Sequence, residues 1–315
     1  MKSKASAPGK VILFGEHFVV YGVKAILCAI DKRITVTAEQ IPEDKISIKS
    51  NIGKLEIPTN ESITEIDSPL KPFCYLASKL IQKYNSKSGI NITVESEIPL
   101  GVGLGSSSAC CVAGAAAISQ LFEETSKEKI LELAIEAEKT IFQNTSGADC
   151  TVCAFGGLME YDKKKGFSKI DTESNFHLVI VNSNIEHSTD AVVSNVKKFK
   201  DSNEEQFLNL CKKESELINK VMKNLKNKDL KELGNMMHKN QEFLETIGIS
   251  NEKLRQMINV AETIAYGAKI TGAGGGGCII ALTDESNLEK TISQLRGKNY
   301  DCFSVRIDHK GLDTF

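Results

Sequence analysis

The chain has 315 residues, of which 25% are charged, and its formal net charge at pH 7 is −2. A chain of this length can bury a full hydrophobic core, and we expect two domains. The balanced charge indicates neither the basic surface of a nucleic-acid-binding protein nor an acidic disordered tail. We expect neither a signal peptide nor a membrane span, because the longest apolar run, 11–21, contains Gly15, Glu16 and His17.

The nine cysteines are scattered along the chain. An odd number of thiols in mostly apolar surroundings predicts free, buried cysteines in a reducing cytoplasm. Cys150 and Cys153 have C-x-x-C spacing, but no second pair has the spacing of a zinc site. This favours a packing role for both.

The first half of the chain is rich in strand patterns. The predicted strands are 5–13, 25–30, 34–39, 45–49 and 90–97, with one helix at 70–84. Helices then follow at 107–122 and 127–142, with a short one after Ser146. Strands at 158–161 and 178–181 complete this half.

The second half is mainly helical, and its Lys-rich stretch 212–239 has the pattern of a solvated helix face. The predicted helices are 189–199, 204–223, 229–246, 251–266 and 287–295. The predicted strands are 268–271, 278–282 and 303–307. The chain is therefore expected to form two α+β lobes, 1–180 and 181–315.

A glycine-rich segment, 99–109, separates a predicted strand from an alanine-rich helix. Its three closely spaced glycines permit positive φ, and the following helix directs its positive end and free N–H groups toward the same place. We interpret the segment as a phosphate-binding loop. It lacks the lysine of a Walker A loop, whereas a dinucleotide-binding loop, with Glu123 or Glu124 as its acidic residue, stays open as an alternative.

Glu138 lies in the apolar arc of the helix predicted at 127–142. A buried carboxylate requires a cation, a metal ion or strong hydrogen-bond donors. Two interpretations remain open, an intramolecular ion pair and a magnesium ligand near the phosphate loop.

Three further charged positions are candidates for chemistry. Asp149 begins a predicted helix, where aspartate acts either as a cap or as a catalytic acid or base. Lys10 enters an otherwise apolar strand, which favours a catalytic cation. Glu16 and His17 end that strand together.

Residues 272–277 contain five glycines in six positions between two predicted strands. A hairpin needs far fewer. We therefore expect close approach of this loop to a ligand or to the glycine loop at 99–109.

Taken together, the segments 8–22, 99–109 and 269–278 resemble the three motifs of the GHMP kinase superfamily, in the order of that family and over most of the chain. Within the superfamily, the run Gly9-Lys10-Val-Ile-Leu-Phe-Gly15-Glu16-His17 is similar to that of the mevalonate kinases. Glu138 and Asp149 keep the spacing of eleven residues found there. The resemblance implies an N-terminal lobe like ribosomal protein S5 domain 2 and a ferredoxin-like C-terminal lobe.

The resemblance also implies roles in ATP- and Mg²⁺-dependent phosphorylation of the primary hydroxyl of mevalonate. Asp149 would be the general base and Lys10 its catalytic partner, while Ser107 and Glu138 would hold Mg²⁺. The implied ATP-binding residues are Pro99, Gly101, Val102, Gly103, Leu104, Gly105, Ser106, Ser107 and Ser108. The implied substrate-binding residues are Lys10, Glu16, His17, Ser146, Asp149 and Thr189. The implied glycine loop of the second lobe comprises Gly272, Ala273, Gly274 and Gly275.

Two residues depart from the family pattern, His187 where arginine is common and Thr145 where proline is common. The carboxylate of mevalonate needs a cation or donor, for which His17, His187 and Lys10 are candidates. Three alternatives remain: a kinase for phosphomevalonate or another small alcohol, a non-catalytic sensor of ATP and sugar, and a nicotinamide oxidoreductase. The expected partners are mevalonate and ATP, without nucleic acid or membrane, and the oligomeric state is left open, a homodimer included.

Overall fold

The computed structural model describes residues 1–99, 101–172, 176–186 and 188–315. Leu100 of the glycine-rich segment and His187, a candidate substrate contact, lie outside the described residues. None of the described helices is long and apolar enough to cross a membrane.

The first part of the chain builds a large, mostly antiparallel sheet with helices packed against it. Its strands are β1 (Lys2–Phe14), β2 (Ala25–Ile41), β3 (Lys45–Ser50), β4 (Gly53–Pro58), β5 (Gly89–Ser96), β6 (Leu158–Asp162) and β7 (Gly166–Ile170). Its helices are α1 (Lys71–Lys83), α2 (Ser106–Ser119), α3 (Lys127–Glu138) and α4 (Ala148–Phe155). A 3₁₀ turn at Phe18–Tyr21 joins β1 to β2.

The second part builds a four-stranded antiparallel sheet. The strands β8 (His177–Asn182), β9 (Gly267–Ile270), β10 (Cys278–Thr283) and β11 (Asp301–Arg306) are arranged in the order β11-β8-β10-β9. The helices are α5 (Thr189–Ser202), α6 (Glu204–Asn227), α7 (Leu230–Thr246), α8 (Glu252–Ala261) and α9 (Glu285–Arg296). The α+β prediction is therefore confirmed.

The last strand, β12 (Asp313–Thr314), returns to the first sheet and pairs with β1. The large sheet thus has the order β12-β1-β2-β5-β3-β4, with β6 paired to β2 and β7 to β6. Arg33 in β2 anchors the returning segment, since its guanidinium forms an ion pair with Asp308 and donates to the carbonyl of Gly311 at 2.7 Å.

Helix α2 packs closely on the first sheet because its side chains are small. Ala113, Ala116 and Ala117 are fully buried, and a methyl group added at Gly114 would lie 2.7 Å from the ring of Phe73 in α1. This packing fixes the beginning of α2, and hence the glycine loop before it, above β1 and β2.

Several predicted boundaries are wrong in informative ways. The strands predicted at 25–30 and 34–39 form the single strand β2, and β4, β7 and β12 were not predicted. Helix α3 ends at Glu138 and α8 at Ala261, earlier than their apolar patterns suggested, because the following residues form turns and loops.

Candidate active site

In the glycine loop before α2, three glycines alternate with two buried apolar residues. Gly101, Gly103 and Gly105 have φ of 70°, 77° and 73°, whereas Val102 and Leu104 are buried. A methyl group at Gly101 or Gly103 would meet no atom within 4 Å, so open space lies beside the loop. Positive φ is the reason for glycine at these positions.

Strand β1 passes directly beneath this loop. The amide of Lys10 donates to the carbonyl of Leu104 at 2.9 Å, and a methyl group at Gly9 would lie 2.8 Å from that same oxygen. The β1–β2 register shifts between Pro8 and Gly9. Irregularities of this kind redirect side chains near functional sites.

Lys10 and Asp149 form an ion pair at the beginning of α4. Lys10 Nζ lies 3.0 Å from Asp149 Oδ2, and the lysine stem packs on Gly105, where an added methyl group would lie 2.7 Å from Cγ. The side chain of Lys10 is 6% exposed and that of Asp149 is 35% exposed. Asp149 lies in the first turn of α4, where the helix dipole favours a negative charge.

Glu138, at the end of α3, is 3% exposed and accepts hydrogen bonds from the hydroxyls of Ser108 and Thr145. No salt bridge joins it to a cation within the described parts of the chain, so the ion-pair interpretation is wrong there. Ser108 of α2 is thus the serine that contacts Glu138, while Ser107 is partly exposed at the beginning of the helix. Thr145, a departure from the family pattern, supplies one of the two donors.

The thiols of Cys150 and Cys153 in α4 are affected by the charges of both acids, Glu138 and Asp149. Burial raises the pKa of Cys150 well above its usual value, and the negative charges of Glu138 and Asp149 raise it further. Burial and the charge of Asp149 raise the pKa of Cys153 in the same way. Thiols held protonated by burial are unreactive, which agrees with a packing role for both.

The turn after β1 is buried between the two sheets, not directed at open space. Glu16 is 1% exposed, and its carboxylate forms an ion pair with Lys269 of β9, which is fully buried. Burial raises the pKa of Glu16 and lowers that of Lys269, while the contact between them opposes both changes. Glu16 is thus enclosed and paired in this structure, and its contact with the substrate stays a prediction.

His17 has φ of 58°, which is uncommon for a residue with a side chain. Its Nε2 lies 2.8 Å from the carbonyl oxygen of Ala273, so Nε2 carries the proton. Burial lowers the pKa of the ring, which leaves it neutral at pH 7 with Nδ1 as an acceptor. A contact between His17 and the mevalonate carboxylate stays a prediction.

The second-lobe glycine loop packs against its own lobe and against β1. Methyl groups at Gly274 and Gly276 would lie 2.6 Å from the carbonyl oxygen of Ile249 and 2.4 Å from that of Ile185. Just before the loop, Thr271 Oγ1 donates to the carbonyl of Ile12 at 2.9 Å. Among the described residues no hydrogen bond joins this loop to 101–105, so its close approach is to β1 and His17. At Gly272 a methyl group would meet nothing within 4 Å, which leaves this end open.

Ser146 and Thr189 are both exposed. Ser146 lies three residues before Asp149, and its Oγ accepts a hydrogen bond from the amide of Ala148 at 3.3 Å. Thr189 begins α5, after Ser188, whose hydroxyl accepts the amide of Ala191 at 3.3 Å. No hydrogen bond or ion pair joins Thr189 to Lys10 or Asp149 in the part of the chain that the structure describes.

Two buried charges of the second lobe were missed from the sequence. The glycine motif at 269–278 accounts for Lys269 only as its first residue, and the Lys-rich pattern of 212–239 predicts a solvated helix face that includes Glu214. Yet Glu214 belongs to the buried stripe of α6, which is Phe207, Leu210, Glu214, Leu217, Ile218, Val221 and Leu225. The helical-wheel argument that singled out Glu138 would have found it.

The family models of the GHMP kinases match both parts of the chain, the N-terminal domain at 72–157 and the C-terminal domain at 221–302. The mevalonate kinase of Pyrococcus furiosus is 36% identical, with 92% of this chain and 91% of that protein covered. The chain belongs to the GHMP kinase family.

The mevalonate kinase of Aeropyrum pernix is 30% identical to this GHMP kinase over 98% of the chain and 97% of the relative. The solved structure of the Methanococcus jannaschii mevalonate kinase superimposes with a TM-score of 0.86 at 30% identity, covering 97% of this chain and 98% of that one. The L. major mevalonate kinase, solved with R-mevalonate, has a TM-score of 0.83 at 25% identity, covering 97% and 95%. These relatives confirm the predicted two-lobed kinase fold and the assignment to the mevalonate kinase branch.

Proposed function

We propose that this GHMP kinase transfers the γ-phosphoryl group of ATP to the primary hydroxyl of mevalonate, with the reaction centred on Asp149. The observation that carries this proposal is the Lys10–Asp149 ion pair, 3.0 Å long, at the foot of the glycine loop. Phosphoryl transfer asks a protein mainly to position its reactants and neutralise charge. A buried lysine beside a partly exposed aspartate supplies both functions.

Asp149 accepts the proton of the attacking hydroxyl in this proposal, and Lys10 pairs with the carboxylate and stabilises charge on the transferring phosphoryl group. The exposure of Asp149 supports this assignment, because 35% of its side chain is exposed and can be reached by a substrate. The stem of Lys10 is held against Gly105, so the ammonium has little freedom to move away.

The glycine loop and the beginning of α2 are proposed to bind the triphosphate of ATP. Residues 101–108 combine glycine backbone with positive φ, open space and a helix N-terminus. Pro99 leads into this loop, and Ser106 and Ser107 lie in the first turn of the helix.

Magnesium fits the donor set around Glu138. Mg²⁺ binds through one or two carboxylates together with substrate phosphates, and prefers oxygen ligands. The described residues hold no group of three or more His, Cys, Asp and Glu side chains that could bind a metal ion without further ligands. Glu138 and a hydroxyl of Ser107 or Ser108 would hold the ion, which would neutralise charge on the phosphates.

On the substrate side, neutral His17 would accept a hydrogen bond from a mevalonate hydroxyl through Nδ1. His17, Lys10 and His187 remain the candidates for the mevalonate carboxylate. Ser146, Thr189 and the open end of the loop at Gly272 are proposed to line the site. The proposal retains a division near residue 180, with ATP on the first lobe. A cytoplasmic location is part of it, supported by nine free cysteines.

The direct test is a coupled assay of ADP release with mevalonate, phosphomevalonate, homoserine and galactose, each at several concentrations. We expect mevalonate to give the highest kcat/KM by a wide margin. A higher kcat/KM for phosphomevalonate would contradict the substrate assignment and leave the family intact. Titration with NAD tests the oxidoreductase alternative, for which we expect no binding.

A further inference from the structure

Three consecutive residues of the first lobe are each held by a different group of the second lobe. The amide of Gly15 donates to Glu214 Oε1 at 3.0 Å, the carboxylate of Glu16 is paired with Lys269, and the ring of His17 donates to the carbonyl of Ala273. Lys269 and Ala273 belong to the third glycine motif. Glu214 belongs to α6, far from every motif in the sequence.

We propose that Glu214 is a positioning residue, which holds the Gly15–His17 turn in the conformation that places His17 for substrate binding. The expected change in KM for mevalonate rests on the proposed function. The structural role of Glu214 rests on the geometry alone.

The turn needs such support because its backbone is strained. Gly15 has φ of 94°, and a methyl group there would lie 2.4 Å from the carbonyl oxygen of Lys24. His17 adopts φ of 58° only two residues later. A residue with a side chain persists in this region when its surroundings fix it.

Glu214 is well built to provide that support. It is 0% exposed, and Nδ2 of the fully buried Asn240, from α7, lies 2.8 Å from both carboxylate oxygens. The amide of Gly15 is therefore bound by a carboxylate that α6 and α7 hold in a fixed orientation. A hydrogen bond to an ionised carboxylate is about twice as strong as one to a neutral group, and a protonated carboxyl group still offers the amide of Gly15 an acceptor oxygen.

The burial of Glu214 also indicates a role beyond packing. A carboxylate in the apolar stripe of a helix destabilises the protein unless its partners compensate. An apolar side chain would fill the same space at lower cost, but it would leave the amide of Gly15 without an acceptor.

Three variants separate a positioning role from a packing role. Glu214→Gln keeps the shape and a neutral acceptor, Glu214→Leu keeps the burial and removes the acceptor, and Glu216→Gln changes an exposed carboxylate on the same helix. For each we would measure KM for mevalonate, KM for ATP, kcat, the melting temperature, and deuterium exchange in the peptide that covers 13–20.

We expect Glu214→Leu to raise KM for mevalonate at least about tenfold, because one buried hydrogen bond is lost, and we expect KM for ATP to be unchanged. Glu214→Gln should show a smaller increase, and Glu216→Gln none. Deuterium exchange in the peptide that covers 13–20 should be fastest in Glu214→Leu, less accelerated in Glu214→Gln and unchanged in Glu216→Gln. A packing role predicts lower melting temperatures with unchanged KM values and unchanged exchange, and this result overturns the proposal.

Two further outcomes remain decisive. If Glu214→Leu does not fold, the Glu214→Gln variant decides through the same KM comparison and the same peptide. If the wild-type protein does not phosphorylate mevalonate, the proposed function fails, while faster exchange in 13–20 still supports the positioning role and unchanged exchange removes it.

Discussion

Lys10 and Asp149 form an unequal ion pair, since the lysine is almost fully buried whereas the aspartate keeps about a third of its side chain exposed. The lysine is fixed by β1 and Gly105, so only the carboxylate is available to a second molecule. This difference in exposure indicates different roles: Lys10 supplies a fixed positive charge, and Asp149 contacts the substrate.

Replacing Asp149 with asparagine should remove the acceptor for the hydroxyl proton. We expect kcat to fall about 10²- to 10⁴-fold, the usual contribution of a general base, with ATP affinity unchanged. Steady-state kinetics and nucleotide titration check the two parts. Asp67→Asn, at an exposed position, is the control. Near-normal turnover in Asp149→Asn would remove the residue from the base role.

Gly105→Ala should displace Lys10 without touching its charge. The new methyl group would lie 2.7 Å from Lys10 Cγ, so the ammonium must move away from Asp149. We expect kcat to fall at least about tenfold, because a small misplacement of a catalytic group is costly. Gly166→Ala is the control, since Gly166 has φ of 79° but no atom within 4 Å of the added group. Equal kcat in both variants would show that the position of Lys10 does not matter.

Glu138→Gln should raise the Mg²⁺ concentration needed for half-maximal activity. The amide nearly matches the carboxylate in shape, but it carries no charge to attract the ion. We expect a shift of about tenfold or more in a magnesium titration at saturating ATP, equivalent to about 1.4 kcal/mol. Glu132→Gln, exposed on the same helix, should behave as the wild type. An unchanged magnesium requirement would contradict a metal role for Glu138.

The free energy of unfolding should depend on pH through Glu214. Burial raises the pKa of this carboxyl from 4.5 to about 7 in the folded protein. The folded state therefore holds the proton more tightly, and the stabilisation is complete below about pH 4.5 and lost as the pH rises through about 7. Urea unfolding at several pH values should show this decline in the wild type. Glu214→Gln should make the decline with pH smaller but not abolish it, because the pKa of Glu16 is also raised and Glu16 is still present in the variant. An identical pH dependence in both proteins would contradict the assignment.

The sequence was sufficient for those features whose cause is local. Glycines with positive φ, the apolar arc around Glu138 and the place of Asp149 at the beginning of a helix each follow from a few neighbouring residues, and the structure places them as expected. The cap interpretation of Asp149 is wrong, because the N-cap of α4 is Gly147. The partners of these residues depend on contacts between distant segments. Nothing near Glu16 indicates that Lys269, 253 residues later, binds its carboxylate.

The prediction of exposed charge on α6 failed for a related reason. The lysines between 212 and 226 dominate the composition of that segment, and they conceal one glutamate in the buried stripe. The short strands β7 and β12 were also beyond local reasoning. They exist because β6 and β1 offer them unpaired backbone groups, and their own sequences have little strand character.

The pairing of β12 with β1 affects how the protein is made. Thr314 and Asp313 lie opposite Ala5 and Ser6, on the strand that carries Lys10. During synthesis β1 is made long before β12, so its edge at Ala5 and Ser6 stays uncovered until residues 313 and 314 have been added. Nascent chains stalled before residue 313 should therefore expose an unpaired strand edge that is prone to aggregation, and they should depend on chaperones. Chains that include residues 313 and 314 should not.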